Sequence, residues 1–282
     1  MFTEENKNLL LEALSYIKRF NEKIVVIKYG GAAMIDESLK QSFAQDIVLL
    51  QSLGMLPVIV HGGGPEVSKA MERLGQEVSF IDGLRVTSSE NLKVAEMVLS
   101  GTINKEIITH LNTFGGKAVG VSGKVGLLIE ARKKQHSGGV DLGYVGEIES
   151  VNPELLLVLL KQCFLPVVSP IGLGKDGVTY NINADTTASR IAVALEAYKI
   201  IFMTDVDGVL EDGKLKGQLS SVEAEKLIKK NVISGGMAPK VSAGVFCVEN
   251  GVASAQIING TDPHSVIAEL FTDKGIGTQI VL

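Results

Sequence analysis

The chain has few of the features that direct a protein to nucleic acid, to a disulfide-bonded fold or to a zinc site. Its 282 residues include only two cysteines, carry a formal net charge of −5, and contain no basic cluster longer than Arg132-Lys133-Lys134. Neither Cys163 nor Cys247 has a cysteine or histidine at ligand spacing, which predicts two buried thiols in a reducing compartment. The charge and the absence of a basic stripe argue against a nucleic-acid partner.

Long apolar segments are also missing. The longest apolar run, residues 155–160, is far shorter than the ~20 residues that a membrane helix needs. Near the N-terminus, Glu12 interrupts the apolar stretch, which differs from the continuous core of a signal peptide. We therefore expect a cytoplasmic protein with no membrane partner.

What the sequence does contain is a regular alternation of short apolar runs and helical segments. The runs are rich in β-branched and aliphatic residues, as in strands that are buried on both faces of a parallel sheet. Cap residues, prolines and glycines mark helix ends between them. The pattern predicts an α/β fold, a three-layer αβα sandwich with a central, mainly parallel sheet. The predicted strands are 24–27, 57–60, 117–121, 165–168, 200–203 and 255–258, and the predicted helices are 36–53, 65–73, 88–100, 153–162, 184–196, 221–230, 238–250 and 263–270.

Two stretches depart from this alternation. Residues 77–87 contain Asp82-Gly83 between apolar residues, which is the signature of a tight hairpin, and a loop there can fold over a ligand. Residues 127–148 are rich in glycine and alternate in polarity, which predicts a second, solvent-facing β element rather than a linker.

Glycine-rich turns follow the first two predicted strands. In Lys28-Tyr29-Gly30-Gly31, the glycines let backbone N–H groups approach a phosphate and the lysine adds a positive charge. In His61-Gly62-Gly63-Gly64-Pro65, three glycines precede a helix N-terminus, which is suited to an anion. Neither turn has the Walker or the Rossmann spacing. Taken singly, each turn is also compatible with an ordinary tight turn.

Three more turns complete the set: Asn181–Asp185, Thr204–Val209 and Gly235–Lys240. Asp185 lies where a helix begins, so it is either an N-cap or a hydrogen-bond acceptor for lysines. All five turns lie at strand ends or helix starts on what should be one edge of the sheet. Together they predict a ligand site at that edge.

In this combination the sequence resembles the amino acid kinase family, and within it the acetylglutamate kinases, from residue 24 to residue 282. The order of GLRVT after HGGGP separates it from the aspartate, glutamate, uridylate and carbamate kinases. Ala238 departs from the pattern, because relatives often carry a bulkier aliphatic residue there. The motifs are KYGG at 28–31, VHGGGP at 60–65, GLRVT at 83–87, PVVSPIG at 166–172, NINAD at 181–185, TDVDGV at 204–209 and GGMAPK at 235–240.

The resemblance implies an enzyme that uses ATP, with Mg2+ bound through the ATP phosphates, to phosphorylate the side-chain carboxylate of N-acetyl-L-glutamate in the second step of arginine biosynthesis. It implies that Lys28 and Lys240 contact the transferred phosphoryl group and that Asp185 orients both lysines. It implies no metal ligand from the protein. The implied substrate contacts are Gly30, Gly31, Gly63, Gly64, Arg85 and Asn181. The implied nucleotide contacts are Thr204, Asp205, Gly208, Met237 and Lys240.

The chemistry of such a reaction agrees with the residues present. A glutamate-type carboxylate, with a pKa of about 4.3, is ionised at neutral pH and needs no general base. Two like unit charges about 4 Å apart repel by about 4 kcal/mol at an effective dielectric of about 20, and the γ-phosphate carries more than one charge. The site must therefore supply cations.

The segment before the first strand has an apolar stripe at helical spacing, made of Leu10, Ala13, Leu14, Ile17 and Phe20. The helix either packs on its own subunit or joins subunits. The resemblance to arginine-inhibited members implies that residues 1–22 join dimers into a hexamer, a trimer of dimers. It also implies a substrate-binding and dimerisation lobe at 23–180 and an ATP-binding lobe at 181–282 on one continuous sheet.

The same resemblance implies feedback inhibition by L-arginine, at a site that includes Tyr16, His264 and Glu269. Other readings stay open at this stage. A kinase for N-acetyl-aminoadipate differs by one substrate methylene, worth only ~1–3 kcal/mol in a pocket. A noncatalytic sensor on the same fold is disfavoured by the joint presence of Lys28, Asp185 and Lys240, and a dinucleotide-binding oxidoreductase by the missing fingerprint.

Overall fold

The structure, a computed structural model, describes residues 3–136, 138–272 and 275–282. The helices are α1 (Glu4–Phe20), α2 (Glu37–Ser52), α3 (Gly64–Arg73), α4 (Ser89–Glu96), α5 (Asn104–Thr113), α6 (Glu154–Lys161), α7 (Ala184–Ala194), α8 (Ser221–Lys229), α9 (Met237–Glu249) and α10 (Ser265–Leu270). The strands are β1 (Ile24–Tyr29), β2 (Leu56–His61), β3 (Phe80–Ile81), β4 (Leu84–Arg85), β5 (Ala118–Ser122), β6 (Ile129–Lys133), β7 (Gly146–Val151), β8 (Leu165–Ser169), β9 (Ile171–Leu173), β10 (Thr179–Asn181), β11 (Lys199–Thr204), β12 (Leu210–Glu211), β13 (Lys214–Leu215), β14 (Gln218–Ser220), β15 (Ser254–Asn259) and β16 (Thr278–Val281). A π-helical turn, Met97–Ile103, joins α4 to α5.

The centre of the molecule is an eight-stranded sheet with the order β14-β16-β15-β11-β1-β2-β8-β5. Six strands run parallel, while β16 pairs antiparallel with β15, and β14 runs parallel to β16. All six predicted core strands belong to this sheet, and its mainly parallel character is confirmed. Because β1 pairs with both β2 and β11, the sheet is continuous across residue 180. The division into two lobes stays a prediction.

Successive residues of β1 pack on opposite faces of the sheet, as the two-residue repeat of a strand requires. Val25 and Ile27 belong to a core cluster that contains Leu50 of α2, whereas Val26 belongs to a second cluster that contains Ile191 of α7. All five of these side chains are fully buried. The three-layer αβα sandwich is therefore confirmed.

The two stretches that interrupt the alternation form β structure, as predicted. Residues 80–85 are the β3–β4 hairpin. Strands β6 and β7 belong to a second sheet, which has four strands in the order β10-β9-β6-β7. The backbone of Thr87, just after the hairpin, accepts a hydrogen bond from the amide of Tyr144 at 2.7 Å. This contact connects the hairpin to the loop before β7.

Several boundaries differ from the predictions. The helix predicted at 88–100 has Ser88 as its N-cap and continues through the π-helical turn into α5, which was not predicted. The helix predicted at 263–270 begins only at Ser265, because His264 has a left-handed backbone (φ 58°) that a helix cannot contain. Six strands, β9, β10, β12, β13, β14 and β16, were also not predicted. Cys163 is exposed, so the prediction of a buried thiol is wrong there, whereas Cys247 is buried as predicted.

Helix α1 packs on its own subunit through its last turns, where Tyr16 and Phe20 are buried. Its first half is more open: Leu11 is 65% exposed and Leu14 is 50% exposed. The side chains of Leu10 and Ala13, which belong to the predicted stripe, lie outside the described residues. Among the helices that the structure describes, none is long and apolar enough to cross a membrane.

Adjacent leucines on α2 provide a test of the layered packing. Leu50 is fully buried and Leu49 is 47% exposed. We expect Leu50→Ala to lower the free energy of unfolding by about 2–5 kcal/mol, because it leaves a cavity beneath the sheet. Leu49→Ala is the matched control and should change it by less than about 1 kcal/mol. Equal losses in urea unfolding would contradict this packing.

Candidate active site

A cleft opens at the carboxyl edge of the central strands. Strands β1, β2 and β11 are parallel, and Lys28 pairs in register with Val60 on one side and Phe202 on the other, so the turns after these strands lie side by side. The cleft has a volume of about 290 Å³. Its polar and glycine-rich lining consists of Lys28, Gly30, Gly31, Gly62, Gly63, Gly64, Arg85, Asn181, Asn183 and Asp185.

Asp185 connects the two lysines that the sequence singles out. One carboxylate oxygen, Oδ1, lies 3.2 Å from Nζ of Lys28 at the end of β1, and the other, Oδ2, lies 3.2 Å from Nζ of Lys240 in the first turn of α9. Asp185 is in the first turn of α7, and the N-cap of that helix is Asn183, so Asp185 is not the cap. Its side chain is directed to the lysines instead.

The charge balance at Asp185 follows from these contacts. Burial alone raises the pKa of this carboxyl group, but the ammonium groups of Lys28 and Lys240 outweigh burial and hold the pKa below its usual range. Asp185 is therefore ionised at neutral pH. The cluster carries a net charge of +1, which leaves it suited to an anionic ligand.

The glycine turn after β2 is shaped by its neighbours. Gly63, the N-cap of α3, has φ 147°, and a Cβ atom there would overlap Cδ1 of Ile103. The first N–H groups of α3 have no acceptor within the helix, so they are available to an anion. His61, directly before the turn, is fully buried, and burial lowers its pKa to about 4. It is neutral at neutral pH.

Arg85 is a buried cation on β4 at the side of the cleft. Its Nη2 donates to the carbonyl of Gly64 and to Oγ of Ser68, each at 2.8 Å, and its guanidinium lies 4.7 Å from the ring centroid of Phe80. Within the described ranges, Arg85 makes no ion pair with an acidic side chain. A buried guanidinium held by neutral groups is suited to a carboxylate ligand.

Asn181, the last residue of β10, lines the same cleft from the second sheet. Its Nδ2 donates to Oγ1 of Thr87 at 3.4 Å, and its backbone N–H donates to the carbonyl of Tyr144 at 2.9 Å. The structure thus brings the predicted substrate contacts together around one cleft. Their roles stay predictions.

The predicted nucleotide contacts lie around the ends of β11 and the start of α9. A Cβ atom at Gly31 would lie 3.9 Å from the backbone N of Asp205, so the turn after β11 abuts the turn after β1. Met237 opens α9, one turn before Lys240. The predicted nucleotide contacts are not among the residues that line the cleft: Thr204, Asp205, Gly208, Met237 and Lys240. Lys240 meets the cleft through its contact with Asp185.

The predicted arginine-site residues are only partly together. Tyr16 and Glu269 line a second pocket of about 200 Å³, which also contains Arg19 and Lys199. Nζ of Lys199 lies 3.7 Å from Oε1 of Glu269. His264 is not in this lining, because its Nδ1 lies 2.6 Å from Oδ1 of Asp46 on α2.

Some site residues carry no signal in the sequence. Leu99 lines the cleft from the π-helical turn, and Ser68 holds Arg85 from α3. Lys199 lies at the start of β11 and is buried. Each is an isolated residue without motif spacing, so only the tertiary structure identifies it.

Comparisons with known proteins place this geometry in a family. The family model described as "Amino acid kinase family" matches residues 23–259. An acetylglutamate kinase from Methanothrix thermoacetophila is 49% identical over 284 residues, covering 98% of each chain. An acetylglutamate kinase from Desulforamulus reducens is 50% identical over 281 residues, again covering 98% of each chain.

Solved structures agree with the fold. N-acetylglutamate synthase from Neisseria gonorrhoeae, in complex with coenzyme A and N-acetyl-glutamate, has a TM-score of 0.88 and 28% identity; the match covers 98% of this chain and 63% of the synthase. The chain thus spans less than two thirds of that synthase. The same synthase in complex with coenzyme A and L-arginine has a TM-score of 0.84 and 27% identity, over 98% of this chain and 65% of that one. Carbamate kinase from Giardia lamblia bound to AMP-PNP, with a TM-score of 0.67 and 16% identity over 92% of this chain and 98% of that one, shares the fold.

The family model covers most of the chain, the curated relatives match it over nearly their full length, and five of the seven motifs contribute residues to one cleft. The chain therefore belongs to the amino acid kinase family, in the branch of the acetylglutamate kinases.

Proposed function

We propose that the protein is a cytoplasmic, ATP-dependent kinase that phosphorylates the side-chain carboxylate of N-acetyl-L-glutamate, giving N-acetyl-L-glutamyl 5-phosphate in the second step of arginine biosynthesis. The observation that carries the proposal is the Lys28–Asp185–Lys240 cluster, which holds two cations on one carboxylate of the cleft. The full-length similarity to acetylglutamate kinases supports the identity of the acceptor.

We assign the role of each group on electrostatic grounds. The attacking carboxylate and the γ-phosphate repel each other, and this repulsion grows as they approach. Lys28 and Lys240 offset it from two sides, while Asp185 holds both ammonium groups at fixed positions. The turn amides at Gly30 and Gly63 add donors, and Arg85 with Asn181 binds the α-carboxylate of the substrate.

Mg2+ reaches the site with the nucleotide. Both oxygens of Asp185 contact lysine ammonium groups, so this carboxylate does not fit a metal ligand. Oxygen-rich Mg2+ sites commonly use nucleotide phosphates for part of their coordination. We infer that the ATP phosphates hold the ion, which neutralises phosphate charge when bound.

The direct test of the reaction is capture of the acyl phosphate with hydroxylamine in the presence of ATP, Mg2+ and N-acetyl-L-glutamate. We expect hydroxamate from the unmodified protein and a loss on the order of 100-fold in kcat for Asp185→Asn, which frees both lysines. Circular dichroism verifies that the variant is folded. Absence of hydroxamate from the unmodified protein would refute the proposed function.

The matched control is Asp176→Asn. Asp176 lies on an exposed turn, where its Oδ1 accepts from the amide of Val178, and asparagine keeps that acceptor. The kcat of this variant should be unchanged.

The same assay with N-acetyl-aminoadipate measures discrimination over one methylene, and higher kcat/KM for that substrate would assign the protein to lysine synthesis instead.

Arg85 gives a second, separable test. Arg85→Lys replaces a planar guanidinium, which can donate two parallel hydrogen bonds to a carboxylate, with a single ammonium group. We therefore expect KM for N-acetyl-L-glutamate to rise about 10-fold to 100-fold while KM for ATP changes little. Arg132→Lys, on the exposed face of β6, is the control and should leave both unchanged. A rise confined to KM for ATP would contradict the role given to Arg85.

We further propose inhibition by L-arginine at the pocket lined by Tyr16 and Glu269 and assembly of a hexamer through α1. Glu269 offers an anion and Lys199 a cation within one polar pocket, which suits a zwitterionic amino acid. Leu11 and Leu14 supply exposed apolar surface on α1. The similarity to a synthase structure solved with L-arginine also supports the proposal.

Glu269→Gln should raise the arginine concentration for half-inhibition by about 10-fold or more, because a charged hydrogen bond is lost. Glu249→Gln, at the exposed end of α9, is the control.

Deletion of residues 1–20 should lower the oligomer mass measured by light scattering. Unchanged mass together with unchanged arginine sensitivity would refute this regulatory role.

A further inference from the structure

Two buried polar side chains, His61 and Asn104, pack beside the Gly62–Gly64 turn at the cleft. Asn104, the first residue of α5, is 1% exposed. Its Nδ2 lies 3.2 Å from Nε2 of His61 and 3.0 Å from the carbonyl oxygen of Val167. On the other side of the ring, Nδ1 of His61 lies 2.8 Å from the carbonyl oxygen of Gly62.

These contacts fix the tautomer of His61. A carbonyl oxygen can only accept, so Nδ1 carries the proton and donates to Gly62. Nε2 of the neutral ring is then an acceptor, and the amide of Asn104 donates to it. The two hydrogens of Nδ2 in Asn104 are both used, one for His61 and one for Val167. The chain of donors therefore runs in one direction, from Asn104 through His61 to Gly62.

The π-helical turn sets this contact. It adds a residue to the turn that precedes α5, so Ile103 meets Gly63 while its neighbour Asn104 meets His61. Ser100, in the same turn, is bonded through Oγ to Oγ of Ser169 at 2.8 Å. π-helical turns of this kind are frequent at functional sites.

We propose that Asn104 is a positioning residue for the phosphoryl-transfer cleft, acting through the tautomer of His61 on the backbone of the Gly62–Gly64 turn. The hydrogen bond from His61 fixes the peptide plane between Gly62 and Gly63. The orientation of that plane sets where the Gly63 amide is directed. In this role neither Asn104 nor His61 contacts the reacting groups. Only the predicted effect on reaction rate rests on the proposed function.

The tautomer can be measured in the unmodified protein without any substrate. The chain has four histidines, and ¹⁵N spectra of the imidazole rings distinguish protonated from unprotonated nitrogens. The variants His110→Ala, His136→Ala and His264→Ala assign the other three rings and leave His61. We expect a protonated Nδ1 and an unprotonated Nε2. A protonated Nε2 would overturn the proposal.

Asn104→Asp tests the link to the turn and to the rate. Aspartate has the same size but donates to neither His61 nor Val167, so we expect Nε2 of His61 to become protonated and the Gly63 and Gly64 amide signals to shift. The value of kcat should fall on the order of 10-fold to 100-fold, as for small displacements of catalytic donors, with a smaller change in KM. If this variant does not fold, Asn104→Ser removes the donor amide without adding a charge and takes its place.

The matched control is Asn112→Asp on the same helix. Oδ1 of Asn112 accepts from the amide of Ala118, and aspartate keeps that acceptor, so the His61 spectrum and kcat should be unchanged. A folded Asn104 variant with unchanged His61 and glycine signals and unchanged kcat would overturn the proposal. Absence of hydroxamate from the unmodified protein would instead refute the proposed function, while the spectra would still decide the state of His61.

Discussion

The site depends on one ionised carboxylate placed between two ammonium groups. Without Asp185, Lys28 and Lys240 would present two like charges to each other at the buried end of the sheet. With it, the cluster keeps one net positive charge and a fixed geometry. A buried charge of this kind is tolerated because each partner comes from a different rigid element: a central strand for Lys28, and the first turns of α7 and α9 for the others.

The parallel sheet makes this convergence possible. Strands β1, β2 and β11 end at one edge, and the connections that follow them must turn there before entering helices or loops. The second sheet and the β3–β4 hairpin supply the opposite wall, with Asn181 and Arg85. Strand β1 and helix α9 thus provide the two cations that the proposed function assigns to the phosphoryl group, and the added β elements supply groups suited to a carboxylate.

Much of this could be predicted from the sequence because the relevant signals are local. Strands buried on both faces read as continuous apolar runs, and the turns after them are marked by glycine. The short strands β9 and β10 could not be predicted, since three residues acquire a strand conformation only from their partners. The left-handed backbone of His264 likewise has no reliable signal in a residue other than glycine.

The segment between α4 and α5 was missed for a different reason. Gly101 and Thr102 have low helix propensity, which predicts a helix end, yet packing against Gly63 and Ser169 keeps the chain helical through a wider turn. From its position, Asp185 could be either an N-cap or an acceptor for lysines, and only the family resemblance paired it with Lys28 and Lys240. Its distances required the tertiary structure, because the three residues are separated by more than 50 positions along the chain.

The π-helical turn also constrains the length of the chain. The wide turn absorbs one extra residue, and insertion of a further residue between 97 and 103 would rotate everything after it by about 100° about the helix axis. Asn104 would then turn away from His61, and the apolar wall behind Gly63 would be lost. In this segment the number of residues therefore matters as much as their identity, and insertions should be tolerated far less well here than in the exposed turns.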